Sequence, residues 1–290
     1  MFIIRRQWVL TVSIVAAAML PAPGLEAGAS WTLQVSPQSL VQGQTVRLRI
    51  REVPDARDVK ITVGSAQVKL HRIEGGLEGF VGTSPLTAPG TLTVRARVRS
   101  GGGVTTRALS LRLRAGAFGM RRLSVPPALL DPALVAIERR KVAAALAAPL
   151  PIPLWRGAFR LPVEGPVTSG YGVRSIYNGV LRGYHWGVDF RGATGTPVHA
   201  AASGVVTLAD RLPLSGNIVM LDHGGGIFTT YQHLSAIAVA HGARAARGQV
   251  IGLVGSTGLS TGPHLHWGMR VGGVRVNPLY WTSDGPLTAP

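Results

Sequence analysis

Two histidines that alternate along a predicted β-strand, His264 and His266, are the residues of this chain best suited to chemistry. They end a stretch, residues 255–267, that is rich in glycine and small hydroxyl side chains and is stiffened by Pro263. Residues i and i+2 of a strand point to the same face, so both imidazoles should face one point while Leu265 faces the core. The pattern is typical of a metal site or a catalytic histidine pair. Two solvated strand histidines are the alternative.

A second cluster contains His185 and Asp189, which lie four residues apart. On a flat strand they would share a face but lie about 13 Å apart, at roughly 3.3 Å per residue. Side chains cannot easily reach one ion across that gap, because each ligand bond is only about 2 Å long. A shared metal would therefore require the backbone to curl at Trp186 and Gly187, which glycine permits. Without a partner, Asp189 would be an ordinary carboxylate at a strand edge.

A third candidate is His233, in the sequence Tyr-Gln-His-Leu at residues 231–234, where a predicted strand ends. A lone histidine in such a place is more often a surface or core residue than a ligand. The other histidines lie in turns, at strand ends or in the N-terminal half, without an obvious partner nearby in sequence. We interpret these as structural: His71, His199, His223 and His241.

Cysteine is absent, which removes every thiolate-based metal or catalytic site. A transition metal must then be held by His, Asp or Glu. One carboxylate and two imidazoles would leave a fourth tetrahedral position open, as catalytic zinc requires, and a site charge of about +1 would keep the ion electrophilic. Hydrolysis would also need a general base for water and a donor for the oxyanion. Three histidines in motif-like contexts suit an enzyme better than a pure binding site.

Residues 1–29 have the features of a signal peptide. Arg5 and Arg6 precede an apolar segment at 9–20, and the small residues 27–29 resemble a cleavage site. We therefore expect an exported protein of the periplasm, cell envelope or extracellular space, with an uncleaved anchor as the alternative. Charges, glycines and prolines interrupt every later apolar run, so no integral membrane span is expected after signal removal.

The chain is strongly basic, with 30 Lys and Arg against 13 Asp and Glu and a net charge of +17, which attracts polyanions. Nucleic acid is not the expected partner, because an exported chain rarely meets it and because the arginines do not cluster in a tail. They alternate along two predicted strands, which indicates a basic solvent-facing sheet surface, either ordinary or suited to anionic cell-envelope polymers. The two runs are Arg47, Arg49 and Arg51, and Arg95, Arg97 and Arg99.

The fold class predicted from the patterning is all-β. Residues 30–115 read as a small immunoglobulin-like β-sandwich, and residues 116–158 as a linker with one helix. The helix should begin at Asp131 and Pro132 and run to about Ala147, before a stiff proline-rich end. Residues 159–290 form the C-terminal strand-rich domain. The strand candidates are residues 31–35, 45–50, 59–63, 67–70, 91–98, 108–113, 205–209, 217–222, 227–232, 250–254, 264–271 and 274–276.

The C-terminal segment resembles the lysostaphin-type, or LytM-like, zinc metallopeptidases of bacterial cell walls. The resemblance covers about residues 160–280. Its motifs occur in a fixed order: Ser-Gly-Tyr-Gly at 169–172, His-x-x-x-Asp at 185–189, Tyr-x-His-Leu at 231–234 and His-x-His at 264–266.

The resemblance implies a small antiparallel β-sheet metallopeptidase domain with one Zn²⁺ per chain. It implies that His185, Asp189 and His266 are the zinc ligands. It further implies that His264 is the catalytic base for the attacking water, and that His233 is a second catalytic residue that orients the water or stabilises the oxyanion. No ligand or catalytic position departs from the family pattern.

The function expected from this resemblance is that of an exported zinc metalloendopeptidase that hydrolyses peptide bonds in peptidoglycan. One alternative is a non-catalytic LytM-like regulator that activates a cell-wall amidase. Another is an envelope-binding protein whose function lies in the basic sandwich. Because the helical linker immediately precedes the C-terminal domain, it could also lie across the groove and limit access to it.

Overall fold

The computed structural model describes residues 31–53, 58–101, 103–126, 131–283 and 285–287. The predicted signal peptide lies outside these residues. Within them the regular structure consists of many short strands, one α-helix and short 3-10 helices, so the predicted all-β class is confirmed. None of the described helices is long and apolar enough to cross a membrane.

The described part of the N-terminal half contains nine strands. They are β1 (Thr32–Ser36), β2 (Ser39–Val41), β3 (Thr45–Arg51), β4 (Asp58–Val63), β5 (Ala66–Gln67), β6 (Leu70–Ile73), β7 (Gly76–Gly82), β8 (Gly90–Ser100) and β9 (Gly103–Arg114). A four-stranded sheet has the order β1-β3-β7-β6, and a five-stranded sheet has the order β2-β9-β8-β4-β5. Both sheets bury apolar side chains in one shared core that includes Trp31, Leu48, Ile61 and Val94. The immunoglobulin-like topology stays a prediction.

The strand predicted at residues 67–70 is wrong as a single element. Gln67 ends β5 in the five-stranded sheet, whereas Leu70 begins β6 in the four-stranded sheet. The chain crosses between the two sheets here, and Val68 is buried in the core between them. Alternation of apolar and polar residues does not reveal such a crossing, because each short piece keeps the pattern.

The basic solvent face predicted on β3 is also wrong. Arg47 is only 4 % exposed, and Arg49 donates a 2.6 Å hydrogen bond to Glu78 on the neighbouring β7. The pKa of Arg47 is lowered, mainly by burial. This face of the four-stranded sheet is covered because the C-terminal half packs against it: the Trp281 indole donates to Thr45 Oγ1 at 3.1 Å.

The arginines of β8 do face solvent, as predicted. Arg95, Arg97 and Arg99 are exposed, while the residues between them are buried in the core. Lys60 on β4 lies directly opposite Arg97 and is exposed as well. The outer face of the five-stranded sheet is therefore basic and open.

The linker contains β10 (Met120–Leu123) and the helix α1 (Pro132–Leu146). The Asp131 side chain accepts a hydrogen bond from the Ala133 amide, Pro132 occupies the first turn, and Ala147 caps the end, as predicted. No pattern in the sequence predicted β10, which pairs in parallel with a strand of the C-terminal half. The linker is thus attached to that half by both strand pairing and helix contacts.

The C-terminal half contains the remaining strands. They are β11 (Val167–Ser169), β12 (Arg174–Tyr177), β13 (Val180–Tyr184), β14 (Gly187–Arg191), β15 (Pro197–His199), β16 (Gly204–Leu212), β17 (Gly216–Asp222), β18 (Ile227–Leu234), β19 (Ala236–Ile237), β20 (Arg244–Ala245), β21 (Val250–Leu253), β22 (His264–Val271) and β23 (Val274–Val276). Two 3-10 helices follow at Pro278–Trp281 and Gly285–Leu287.

The main sheet of this half has the order β11-β14-β22-β18-β17-β16-β20, with β23 added to β22. Neighbouring strands in this sheet are antiparallel. Along β22, every second residue is apolar and enters one large core, as Leu265, Trp267 and Met269 do. The opposite face of β14, β18 and β22 carries the polar residues described below, so the sheet separates the core from the candidate site.

His223 is a structural histidine, as predicted. It is fully buried, its Nδ1 donates to the Ser203 carbonyl at 2.8 Å, and its Nε2 lies 2.7 Å from Thr229 Oγ1. Burial lowers the pKa of His223 to about 4, although the bond to Ser203 partly opposes this shift. The folded protein therefore keeps this ring neutral at pH values where the unfolded chain already binds a proton.

We expect His223 to make folding stability depend on pH. As the pH falls from about 6.5 to 4, proton uptake by the unfolded state should remove roughly 3 kcal/mol of unfolding free energy. Urea unfolding of His223→Gln across this range should show a flatter profile than the parent chain, with exposed His241→Gln as the control. Parallel profiles for His223→Gln and the parent chain would contradict the assignment.

Candidate metal centre

The pairing of β14 with β22 brings Asp189 directly opposite His266, and Arg191 opposite His264. Because β-strand side chains alternate, Asp189, His264 and His266 share the face that points away from the core. Leu265 between the two histidines is fully buried, as the sequence predicted. The strand register therefore places one carboxylate and two imidazoles together without any unusual backbone.

His185 reaches the same point because the chain bends before β14. β13 ends at Tyr184 and β14 begins at Gly187, and the His185 Nε2 lies 2.8 Å from Asp189 Oδ1. The curl that the sequence required at Trp186 and Gly187 is thus present. Glycine is needed there: a Cβ at 187 would lie 2.5 Å from the Trp267 carbonyl oxygen and 2.7 Å from His266 Nε2.

Three potential ligand atoms converge in the described part of the chain. Asp189 Oδ1 lies 2.8 Å from both His185 Nε2 and His266 Nδ1, and these two nitrogens are 3.0 Å apart. Bonds of about 2.1 Å to a tetrahedral metal imply ligand separations of roughly 3.4 Å, so a small opening of the triangle admits an ion. Two imidazoles and one carboxylate are the donor set of a catalytic zinc site, and the residues fit Zn²⁺.

Backbone carbonyls determine which imidazole nitrogens carry protons. A carbonyl oxygen can only accept, so His185 Nδ1 donates to Gly170 at 2.8 Å and leaves Nε2 available as a ligand. This contact to a carbonyl oxygen is a usual way to orient a metal-binding histidine.

The electrostatics favour an ionised Asp189. Burial would raise the pKa of Asp189, but the adjacent His185 and His266 rings outweigh burial and hold the pKa well below its usual range. Burial lowers the pKa of His266, with the bond to Asp189 opposing this. A charged carboxylate beside two imidazoles is the protonation pattern that a cation requires.

His264 and His233 lie beside this triangle and outside it. The His264 Nε2 is 4.0 Å from Asp189 Oδ1, and the ring centroids of His233 and His264 are 4.8 Å apart. Their Nδ1 atoms donate to backbone carbonyls, His264 to Gly262 at 2.7 Å and His233 to Thr257 at 2.8 Å. Each ring therefore has an unprotonated Nε2 in its neutral form.

His233 joins the site only because its backbone breaks the strand alternation. Its φ of 65° lies in the left-handed region, which disfavours non-glycine residues by about 1–3 kcal/mol. Tyr231 is buried in the core and Gln232 lies opposite His266, so a regular strand would turn residue 233 towards the core. Burial lowers the pKa of His233 to about 3, with the neighbouring histidines adding to the shift.

The linker forms one wall of the groove above these residues. A cavity of about 640 Å³ is lined both by the five site residues and by Arg121, Val135, Glu138 and Val142 of the linker. The Glu138 carboxylate accepts hydrogen bonds from the Leu214 amide at 2.9 Å and from Ser215 Oγ at 2.6 Å. Arg121 contacts Asp189 directly. Sequence reasoning missed both residues, because nothing in their spacing connects them with the C-terminal motifs.

The comparisons with known proteins point to one family. The model of Peptidase family M23 matches residues 183–278. DD-carboxypeptidase/endopeptidase Mpg of Neisseria meningitidis is 50 % identical over 95 residues, which cover 33 % of this chain and 22 % of that protein. Peptidoglycan DD-endopeptidase ShyA of Vibrio cholerae is 40 % identical over 129 residues, covering 43 % of this chain and 30 % of that protein.

A solved structure extends the likeness beyond the matched region. The crystal structure of a peptidase M23 from Pseudomonas aeruginosa has a TM-score of 0.63 and 28 % sequence identity, and the match covers 85 % of this chain and 96 % of that one. The chain spans less than a third of the two curated relatives. The predicted family resemblance is confirmed for the C-terminal half: residues 183–278 match the model of Peptidase family M23 and form a peptidase M23 domain.

Proposed function

We propose that this chain is a zinc metalloendopeptidase that hydrolyses peptide bonds in peptidoglycan, and that it acts after export to the cell envelope. The observation that carries the proposal is the convergence of His185, Asp189 and His266 with two further imidazoles beside them. A donor set with an open position, next to a free base, is what metal-assisted hydrolysis requires. Relatives named as peptidoglycan DD-endopeptidases support the substrate class.

In this proposal His185, Asp189 and His266 hold Zn²⁺, which supplies a Lewis acid for the scissile carbonyl and makes water more acidic. The Nδ1–H of His264 donates to the Gly262 carbonyl, so the unprotonated Nε2 accepts the proton of the attacking water. The Nδ1–H of His233 donates to the Thr257 carbonyl and the pKa of the ring is low, so its Nε2 accepts a hydrogen bond. An unprotonated Nε2 can orient the attacking water but cannot donate to an oxyanion, so the proposed role of His233 is to orient the water.

Release of soluble muropeptides from purified sacculi tests the proposal. The zinc-loaded chain should release fragments, and mass spectrometry of those fragments would identify the bond that is cut. An inactive chain with zinc demonstrably bound would defeat the enzyme hypothesis. It would favour the amidase-activating regulator instead, which should work equally well with His264→Ala.

We further propose that the outer face of the five-stranded sheet binds anionic polymers of the cell envelope. Arg95, Arg97 and Arg99 recur every second residue, so their side chains follow one line at intervals of about 7 Å. Lys60 extends the positive surface across the strand, and it forms an exposed ion pair of 3.5 Å with Asp58. Such an alternating row matches a chain of regularly spaced negative groups.

Replacing Arg95, Arg97 and Arg99 together by alanine should weaken binding to sacculi that carry anionic polymers by roughly 100-fold at low salt, at about 1 kcal/mol per arginine. Cosedimentation across a salt series measures this. The control is the triple alanine variant of Arg140, Arg244 and Arg247. These arginines are exposed and lie outside the five-stranded sheet, so the variant removes the same charge from elsewhere on the surface. Equal losses in the two variants would show that net charge, and not this face, attracts the polymer.

We also propose that α1 limits access to the groove. The helix buries no residue completely, yet Glu138 attaches it to the loop at Leu214 and Ser215, and Lys141 pairs with Asp210 at 2.5 Å. Val142, Ala145 and Leu146 pack against a small buried cluster, but none of them is fully buried. A helix held by polar contacts and partial apolar burial is suited to reversible release.

Glu138→Ala should raise the initial rate of peptidoglycan hydrolysis by roughly 3–10-fold, because losing about 1 kcal/mol or more of attachment shifts the helix towards a released state. Arg139→Ala, an exposed neighbour, is the control. The rate should be measured with the full chain, since removal of the linker would also remove Arg121. A rate for Glu138→Ala that matches the parent or falls below it would contradict gating by α1.

A further inference from the structure

Arg121 lies in the linker, outside the residues that match the peptidase M23 family, yet its side chain reaches the candidate metal centre. It sits on β10, opposite Ser175 of β12. Its Nε donates to Ser175 Oγ at 3.0 Å, and its Nη1 lies 3.3 Å from Asp189 Oδ2 and 3.4 Å from Ser169 Oγ. Three oxygens thus hold one guanidinium in a fixed orientation.

The two oxygens of Asp189 have different surroundings. Oδ1 faces His185 and His266 at 2.8 Å each, whereas Oδ2 faces Arg121. A carboxylate whose second oxygen is held in this way offers a cation one oxygen. If the carboxylate were free to rotate, both oxygens could bind, and the second would take a coordination position that water or substrate needs.

Ser169 links the same guanidinium to a second ligand. The Ser169 Oγ lies 3.2 Å from His185 Nδ1, which also donates to the Gly170 carbonyl. Arg121 therefore contacts the proposed ligand Asp189 directly, and it contacts Ser169, which in turn contacts the proposed ligand His185. Groups in this position orient ligands, and their loss typically lowers metal affinity by about 10–100-fold.

A positive charge beside a cation has the opposite effect, because it repels the ion. The Arg121 side chain is 25 % exposed, so solvent screens this repulsion. We propose that orientation outweighs repulsion, and that Arg121 is a positioning residue that limits Asp189 to ligation through Oδ1. The linker strand β10 then completes the metal centre of the peptidase domain. This inference rests on the proposed zinc site.

The test compares Arg121→Ala, Arg121→Lys and the control Arg122→Ala in the full chain. Arg122 is the exposed neighbour on the same strand. The Kd for Zn²⁺, measured by competition with a chelator, should rise by about 10–100-fold in Arg121→Ala. It should rise several-fold in Arg121→Lys, since one ammonium cannot reproduce the planar fork. Arg122→Ala should bind like the parent.

Visible absorption of the Co²⁺-loaded proteins provides a second readout. A carboxylate that gains a second metal bond raises the coordination number, so the Co²⁺ bands of Arg121→Ala should weaken relative to the parent. An unchanged spectrum would overturn the inference even if affinity fell, because general loosening of the site would also lower affinity. An unchanged or tighter Zn²⁺ Kd would overturn it too. If Arg121→Ala fails to fold, the same two measurements on Arg121→Lys decide.

Failure of the proposed zinc site looks different. In that case the parent chain itself would not bind Zn²⁺ tightly, or His266→Ala would bind it as well as the parent does. A parent that binds zinc through His266, together with an Arg121→Ala variant that matches it in Kd and spectrum, would reject the role of Arg121 alone.

Discussion

His264→Ala should lower kcat for peptidoglycan hydrolysis by roughly 10²–10⁴-fold while zinc remains bound, because a general base contributes about this much. The His264 Nε2 lies 4.0 Å from Asp189 Oδ1 and outside the triangle of ligand atoms. Its removal should therefore spare the metal. The measurement is the initial rate of fragment release, combined with zinc content by mass spectrometry.

His199→Ala is the matched control for this experiment. His199 is a half-buried strand histidine whose Nδ1 bonds to the Gly248 carbonyl, and it lies in a different sheet. It should hydrolyse peptidoglycan like the parent. Loss of zinc from His264→Ala, or a rate within a factor of about three of the parent, would contradict the role of His264 as a base.

His266→Ala should abolish both zinc binding and hydrolysis. It removes one of three converging ligand atoms, so the loss of zinc affinity should exceed the roughly 100-fold that removal of an outer partner costs. Equilibrium dialysis against buffered zinc measures the affinity directly. Excess zinc should restore hydrolysis only in part, because the remaining pair, His185 and Asp189, no longer fixes the ion.

The pair of variants at 264 and 266 separates two roles that the sequence motif alone leaves alike. We expect His264→Ala to lose hydrolysis but keep zinc. We expect His266→Ala to lose both hydrolysis and zinc. A His266→Ala protein that keeps stoichiometric zinc at micromolar concentration would remove His266 from the ligand set. Thermal unfolding of both variants without metal checks that neither change acts through the fold.

The parts of the fold that were predicted well are those where burial on one face imposes alternation. The predicted strands 264–271 and 274–276 agree with β22 and β23, because Leu265, Trp267 and Met269 must all enter the core. The short strands β10 to β13 were missed because they form by pairing with neighbours and carry little pattern of their own. The prediction for Arg47 was wrong for a related reason. Alternation shows that its side chain points away from the sandwich core, but it does not show whether another part of the chain covers that face.

The candidate site was predictable where chemistry supplied a constraint. Ligand bonds of about 2 Å required a curl between His185 and Asp189, and the curl is present. No such constraint reveals the positive φ of His233, which depends on the bulged pairing of β17 with β18. Arg121 was unpredictable as well, since its contact with Asp189 depends on how a distant strand docks.

The buried face of the four-stranded sheet has a consequence for how far the enzyme can reach. Trp281 bonds to Thr45, and the Asn277 amide donates to the Gly43 carbonyl at 2.8 Å, so the half with the candidate groove packs directly against the half with the basic face. A flexible tether would let a bound enzyme sample cross-links over a range of depths. If the basic face binds a polymer as proposed, direct packing of the two halves would instead hold the groove at one distance from that polymer. Cleavage should then be confined to one layer of the wall, with intact sacculi cut faster than soluble fragments of the same composition.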